Sequence, residues 1–260
     1  MLTTPLDQAT WIVIDTETTG IEVASDRVVE VACTQMTGRD AHIVTPLVDQ
    51  LVNPERDIPP TASAVHHLVA ADVADAPTLD VVWHQTIAPV LPDHAILVAH
   101  NAPFDAAFLA PYPGERPWLD TLRLARHLWP EAPKHSNQVL RYWLGLELPP
   151  LSAPPHRALP DTVVTAVLLA TALQHLATVA PAVATVGDLL AWVARPLTVT
   201  VMPFGKHKGT PLHEVPRDYF QWLLKQWAED DSHADPDLKA SILAVLEASA
   251  PRPAGLGTRR

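Results

Sequence analysis

The sequence is poor in the residues that covalent crosslinks and membrane anchors require. Cys33 is the single cysteine in 260 residues, which excludes an intramolecular disulfide, and the apolar run VVEVACTQM around it favours a buried thiol. The apolar runs are interrupted by proline, charge or polar residues before the ~20 residues that cross a bilayer. Residues 1–10, MLTTPLDQAT, lack the basic and apolar regions of a signal peptide. We therefore expect a soluble, cytoplasmic protein.

Positive charge and glycine are also scarce. The chain has 18 Lys and Arg against 29 Asp and Glu, for a net charge of −11. That sign disfavours a protein that coats nucleic acid, but not an enzyme that meets nucleic acid through a bound cation. Glycine is limited to nine residues against 27 prolines, which predicts stiff loops. A hydrophobic fraction of 48% with 18% charged residues is that of an ordinary globular protein.

The length and the charge distribution favour one medium domain with a small appendage. We expect a main domain over 1–180, a linker over 181–200, a small unit over 201–250 around the segment FGKHKG, and a disordered tail over 251–260. Between residues 195 and 227, five Lys or Arg stand against two acids, a local balance of +3 that opposes the sign of the whole chain.

Apolar patterns predict an α/β protein. Runs of β-branched and other apolar residues predict strands over 11–14, 27–36, 41–52 and 95–98. Helical spacing predicts helices over 60–71, 81–91, about 102–110, 119–129, 135–146, 162–180 and 188–196, with a further helix ending near 249. We expect Asn101, Asp120 and Ser136 to cap the helices that follow them, and Gly145 to end the helix over 135–146.

Two acids end the first predicted strand, in the stretch WIVIDTETTG. Side chains alternate across a strand, so Asp15 and Glu17 share one face at its end. Two like charges so close repel each other unless a cation lies between them, and oxygen ligands suit Mg²⁺ or Mn²⁺. Taken alone, the pair is better explained as a solvated strand end that leads into a turn, because acids are common at loop starts.

Two further acids lie near predicted helix starts. Asp105 follows a short strand in the sequence HNAPFD, and Asp161 follows a proline-rich loop in HRALPD, with His156 on the loop before the helix. Stabilisation of a helix N-terminus is a sufficient reason for either acid by itself. A histidine on a loop is free to move, as proton transfer requires.

The ordered set D-x-E-T-T-G, H-N-x-x-F-D and H-R-A-x-x-D resembles the DEDDh branch of the DnaQ-like 3′-to-5′ exonucleases. The resemblance implies a ribonuclease H-like mixed sheet flanked by helices. It implies two divalent metal ions, Mg²⁺ or Mn²⁺, and His156 as general base. The implied metal ligands are Asp15, Glu17, Asp105 and Asp161.

Longer segments resemble the bacterial exodeoxyribonuclease X group, which joins this domain to a short segment containing FGK. That resemblance implies release of 5′-mononucleotides from the 3′ ends of single-stranded or frayed duplex DNA, in repair or proofreading. The implied contacts to substrate are Thr18, Gly20, His66, His100, Asn101 and Phe104, and we add Lys206 and Lys208 for their local charge. An exoribonuclease of the same fold and a non-catalytic nucleic-acid-binding or proofreading subunit remain open alternatives.

Overall fold

The structure is a computed structural model that describes residues 1–39, 44–149, 156–230 and 234–248. The chain divides into two compact units, Met1–Val193 and Ala194–Arg260. The boundary lies at 193/194 rather than at 180, because Val186 and Leu189 of the expected linker pack into the core of the first unit. The tail expected to be disordered, 251–260, lies outside the described residues.

A mixed sheet forms the centre of the first unit. Its strands are β1 (Thr10–Thr18), β2 (Val28–Thr37), β3 (Val44–Leu51), β4 (Ile96–Ala99) and β5 (Trp118–Asp120). The order is β3-β2-β1-β4-β5, with β2 antiparallel to both its neighbours and β4 parallel to β1 and β5. The mixed sheet confirms the predicted fold class. Strand β5 was not predicted, because three residues are too short to show a period.

Helices cover both faces of this sheet. The α-helices of the first unit are α1 (Pro60–His66), α2 (Ala70–Val73), α3 (Leu79–Val82), α4 (Ala102–Phe108), α5 (Thr121–Leu128), α6 (Asn137–Trp143), α7 (Ala158–Val179) and α8 (Val186–Val193). The predicted helix over 60–71 is thus two short helices, since His67 takes a left-handed conformation and ends the first. The predicted helix over 81–91 changes from α to a π-helical turn, Trp83–Ile87, and then to a 3₁₀ turn.

Strand β1 is apolar on both faces because it lies between two cores. Trp11 and Val13 belong to a cluster that includes residues of α5 and α7. Ile12 and Ile14 belong to a second cluster, which includes Trp83 and the end of α4. The same alternation directs Asp15 and Glu17 to the α7 side of the sheet and Thr16 to the α4 side.

Helix α7 is the central helix of the first unit. Its length and composition would allow it to cross a membrane, which the sequence analysis did not anticipate, but most of it is buried. It packs against β1 and β2. The Thr162 hydroxyl donates its hydrogen to the Leu159 carbonyl at 2.7 Å. The hydroxyl of Thr34 on β2 lies 2.6 Å from that of Thr162 and is therefore the donor in the bond between them. These contacts fix the start of α7 over the end of the sheet.

The second unit has its own apolar core. It contains two 3₁₀ turns (Gly205–His207 and Leu212–Glu214) and the helices α9 (Arg217–Glu229) and α10 (Pro236–Ala248). Residues from both helices and from the segment before them form the core cluster, which includes Met202, Phe220, Trp227 and Leu238.

Candidate active site

Three carboxylates converge where β1 ends and α7 begins. Asp15 and Glu17 extend from β1, and Asp161 lies in the first turn of α7. One carboxylate oxygen of each residue lies within 4.8 Å of those of the other two. Two of the acids are close in sequence and the third is distant, so the folded sheet and helix assemble the cluster.

Burial raises the pKa of all three acids, and repulsion from neighbouring carboxylates adds to the shift for Asp15 and Glu17. The pKa of Asp15 is raised well above its usual value, first by burial and then by the neighbouring carboxylates of Asp105 and Glu17. The pKa of Glu17 is raised to about 8 by burial and by Asp161 and Glu30. Burial likewise raises the pKa of Asp161. The cluster therefore holds its full negative charge near neutral pH only when a cation offsets it.

Asp105 approaches from the other side of β1 and lies outside that group of three. Its Oδ1 accepts hydrogen bonds from the backbone N–H of Thr16 at 3.0 Å and from the Thr16 hydroxyl at 2.8 Å. Burial raises its pKa to about 7, while the Thr16 bonds oppose the shift. Both bonds go to Oδ1, so Oδ2 is the oxygen that Asp105 can direct to a ligand. Asp105 still raises the pKa of Asp15, which places its charge close to the cluster.

Contacts from α6 and from the loop before α7 fix the Asp161 carboxylate. Gln138 donates to Oδ1 at 2.8 Å, and the backbone N–H of His156 donates to Oδ2 at 3.0 Å. His156 is exposed and has a φ of 62°, in the left-handed region. The histidine backbone is thus tied to the third acid while its side chain is accessible to solvent.

Buried Glu30 forms an ion pair with the partly exposed Arg157, which local sequence patterns did not predict. Glu30 is 1% exposed and lies opposite Glu17 in the register of β1 and β2. The Nε of Arg157 lies 3.0 Å from both Glu30 oxygens, and the backbone N–H of Ala158 donates to Oε2 at 3.0 Å. The one signal for this pair was a lone acid inside the apolar run RVVEVAC. The pair holds the start of α7 against β2. It thereby also fixes Arg157, the residue that follows His156.

The turn after β1 is built around a glycine that has no room for a side chain. A Cβ on Gly20 would lie 2.3 Å from Oδ2 of Asp26. That carboxylate accepts hydrogen bonds from the Thr19 hydroxyl and the Glu22 backbone. The hydroxyl of Thr18 donates to the Gly20 carbonyl at 2.6 Å. The turn next to the acids is therefore rigid, and Thr18 has an internal partner.

Of the expected contacts to substrate, His66 is the one with an unused buried group. It is 1% exposed and its Nδ1 accepts the Leu68 N–H at 3.0 Å, while its Nε2 makes no hydrogen bond of normal length among the described residues and has the Thr18 backbone as its nearest polar group. Burial lowers its pKa. His100 instead uses both ring nitrogens internally, on the Thr121 hydroxyl at 3.0 Å and the His135 carbonyl at 2.7 Å. Both ring nitrogens of His100 are therefore engaged within the fold.

The start of α4 differs from the prediction. Asn101 is left-handed, with a φ of 80°, and its side chain makes no capping bond. Its backbone N–H donates to Asp120, whose carboxylate also caps α5 by accepting the Leu122 N–H. Ser136 likewise makes no side-chain capping bond.

Phe104 is partly buried, with its ring centroid 4.9 Å from that of Phe108.

Lys206 and Lys208 lie in the second unit, and both are exposed.

The cluster of three acids fits a divalent metal ion. Its donors are all carboxylate oxygens, which favour hard cations such as Mg²⁺ or Mn²⁺ over softer metals. Burial first, and neighbouring carboxylates second, raise the pKa of Asp15 and Glu17, so a bound cation would stabilise their ionised forms. Glu30 contrasts with them, since Arg157 neutralises it.

Comparisons with known proteins match most of the chain. Residues 12–169 match the family model described as "Exonuclease", and residues 193–227 match one described as "Putative quorum-sensing-regulated virulence factor". Exodeoxyribonuclease 10 of Escherichia coli strain K12 is 35% identical over 240 residues, which cover 90% of this chain and 98% of that protein. A DNA polymerase III subunit epsilon-like protein of Rhodobacter capsulatus is 38% identical over 174 residues, covering 63% of this chain and 23% of that protein.

A solved structure agrees with these relatives. Exonuclease X in complex with 5′ overhanging duplex DNA superimposes with a TM-score of 0.53 and 39% sequence identity, covering 63% of this chain and 91% of the other.

Proposed function

The chain belongs to the exonuclease family, and from that premise we propose that it removes nucleotides from DNA 3′ ends and releases 5′-mononucleotides. The observation that carries this proposal is the convergence of Asp15, Glu17 and Asp161, with His156 attached to the third acid through its backbone. Trimming of 3′ ends belongs to DNA repair and proofreading, and we place the protein there.

We propose that the three clustered acids and Asp105 hold two divalent cations, Mg²⁺ or Mn²⁺. Two such ions clamp the phosphate oxygens and stabilise the charge of the leaving oxygen. Asp105 contributes through the oxygen that Thr16 leaves free. Thr16 holds the carboxylate of Asp105, and Gln138 with the His156 backbone holds that of Asp161, so these ligands are positioned before the substrate arrives.

We propose His156 as the general base. Its ring is exposed at the edge of the acidic cluster, and an imidazole accepts protons near neutral pH. No carboxylate of the cluster is free for this task once all of them ligate cations. The bond between the His156 backbone and Asp161 couples the position of the base to that of a ligand.

We propose Glu30 and Arg157 as positioning residues for His156. The pair fixes the residue that follows the histidine, and a bidentate arginine–carboxylate contact restricts orientation as well as distance. Neither residue is needed as a ligand.

For the terminal nucleotide we propose a pocket bordered by residues of the turn, α1 and α4. Nε2 of His66 is a polar atom available there, and the ring of Phe104 supplies an apolar surface on which a base can stack. Thr18, Gly20 and Asn101 would contribute mainly backbone groups, because the side chain of Thr18 is bonded internally.

Labelled single-stranded DNA tests the proposed reaction. With Mg²⁺, we expect a 3′ label to leave as a mononucleotide and a 5′-labelled strand to give a shortening ladder. EDTA and the Asp15→Ala variant should abolish both products. Internal cuts, or loss of the 5′ label as a mononucleotide, would contradict the proposed direction.

An RNA oligonucleotide of matched sequence tests the choice of sugar. We expect it to be hydrolysed more slowly than DNA. Faster hydrolysis of RNA would leave the site intact and replace the substrate with RNA. If neither strand is cut with any divalent cation, the role of a binding subunit takes precedence.

A further inference from the structure

Helix α9 exposes a tryptophan on the side opposite its buried face. Phe220, Leu223 and Trp227 recur at helical spacing and pack into the core of the second unit. Trp222 is 52% exposed and takes no part in that core. The fold of the unit therefore gives no reason for an aromatic residue at position 222, because a solvent-facing helical position is normally polar.

The exposed tryptophan continues into a row of rings. The ring centroids of Trp222 and Tyr219 lie 5.5 Å apart, and those of Tyr219 and His207 lie 4.7 Å apart in an edge-on contact. Nζ of Lys206 lies 5.2 Å from the Tyr219 centroid. We call these residues, together with Lys208, the aromatic-lysine surface.

The turn that carries the lysines packs closely against the side chain of Tyr219. Gly205 has a φ of 70°, and a Cβ there would lie 2.6 Å from the Tyr219 hydroxyl oxygen. Only glycine fits both the conformation and the space. The backbone contact thus places Lys206 and His207 beside the rings, and Lys208 extends into solvent.

The charge and shape of this surface suit a single strand. A concavity of about 340 Å³ is lined by Lys206, Asp218, Tyr219 and Trp222. The carboxylate of Asp218 in that lining repels anions, so the concavity does not suit phosphate alone. Its Oδ1 accepts the Tyr219 N–H at 2.9 Å. Aromatic faces bind any base by stacking, and lysines beside them attract the phosphate backbone.

We propose that the aromatic-lysine surface is a second binding site for single-stranded DNA, where bases stack on Trp222 and Tyr219 while the lysines contact phosphates. The proposal rests on the proposed DNA substrate and adds a contact that the acidic cluster does not make. The balance of +3 over residues 195–227, in a chain of −11, favours binding of the strand to the segment that carries these rings and lysines.

Fluorescence anisotropy of a 5′-labelled deoxythymidine 20-mer tests the proposal. All proteins are full chains that also carry Asp15→Asn, so that the strand stays intact. We expect Trp222→Ala to raise Kd by ~5- to 100-fold, the range expected for loss of a stacked base. Trp222→Phe should restore most of the affinity.

A matched control separates stacking from the loss of any exposed tryptophan. Trp143 is 40% exposed on α6 of the first unit, and Trp143→Ala should change Kd less than twofold. Equal affinities for Trp222→Ala and Trp143→Ala would overturn the proposal. Binding of the matched RNA that is tighter than DNA and equally sensitive to Trp222 would overturn the assignment to DNA.

The lysine provides a test that does not depend on the tryptophan variant folding. Lys208→Ala should lower the slope of log Kd against log salt concentration by about 0.7, as expected for one lost contact to a single strand. An unchanged slope would refute the phosphate contact. Failure of the wild-type chain to hydrolyse DNA would count against the proposed reaction alone, since these binding assays do not require turnover.

Discussion

The two units of the chain gather opposite chemistry, buried in the first and exposed in the second. In Met1–Val193 the clustered charges are carboxylates, held by contacts between residues far apart in the sequence, such as Thr16 with Asp105 and Glu30 with Arg157. In Ala194–Arg260 the corresponding groups are exposed lysines and rings, all drawn from residues 206–222.

From this contrast we infer that the first unit carries out the reaction and that the second unit contributes to binding of the DNA strand. Buried acids with raised pKa values suit a centre whose charge changes when a cation enters, and such a centre controls turnover. Exposed rings and lysines suit binding alone. Substitutions in the first unit should therefore alter kcat, and those on the aromatic-lysine surface should alter Kd.

The largest effect should follow from removing the proposed base. His156→Ala should lower kcat by ~10²- to 10⁴-fold, the usual contribution of a general base. Binding of Mn²⁺, measured by calorimetry, should stay within about twofold of wild type because every carboxylate remains. Single-turnover kinetics on a 3′-labelled strand would measure the step directly.

The exposed side chain of His84 provides the control for that experiment, because its ring pairs with Asp80, lies edge-on to Tyr112 and takes no part in the acidic cluster. His84→Ala should hydrolyse DNA at the wild-type rate. A rate for His156→Ala close to that of His84→Ala, with normal metal binding, would remove the histidine from the mechanism.

A smaller effect is expected for Glu30→Gln, which keeps the shape of the side chain and removes its charge. Arg157 then loses its bidentate partner, and the loop that carries His156 is held less well. We expect kcat to fall by ~10- to 100-fold, as for other residues that orient a metal site, with little change in KM. The pH dependence of kcat should also change, because the base moves relative to the acids.

Asp49 gives the matched control, since its charge also acts on Arg157 but it makes no described hydrogen bond to it. Asp49→Asn should leave kcat within about threefold of wild type. Equal losses for Asp49→Asn and Glu30→Gln would mean that the charge near Arg157, and not the bidentate contact, is what matters.

The parts of the site that were predictable from the sequence are those set by local periodicity. Alternation along β1 placed Asp15 and Glu17 on one face, and proline and loop chemistry placed Asp161 in the first turn of a helix. The central strand was recognisable because its apolar run is uninterrupted. The helix cap at Asp120 followed from residue type, and Leu122 indeed donates to it.

The parts that were missed depend on contacts between distant segments. Asp105 reaches Thr16, on the opposite face of β1 from the other acids, and spacing along the chain does not reveal this. Arg157 neutralises Glu30 across 127 positions. Asn101 was expected to cap α4 by its residue type, but it adopts a left-handed conformation and donates its backbone N–H to Asp120 instead.

The smallest expected effect concerns stability without metal, and it distinguishes the acidic cluster from the rest of the fold. The pKa of Glu17 is raised from 4.5 to about 8, so its neutral form favours the folded state. That stability is present below about pH 4.5, the unfolded value, and is lost as the pH rises towards 8. In EDTA we therefore expect Tm to fall between pH 5 and pH 8.5, by more than the ~2 to 4 °C that 1 kcal/mol is worth at this size. Mg²⁺ should restore Tm more at pH 8.5 than at pH 5, because the ionised acids are the ones that bind it.

Glu17→Gln should flatten both dependences in a thermal scan, whereas Trp222→Ala should keep them. An EDTA profile with the same slope in Glu17→Gln and wild type would assign the pH dependence to groups outside the cluster.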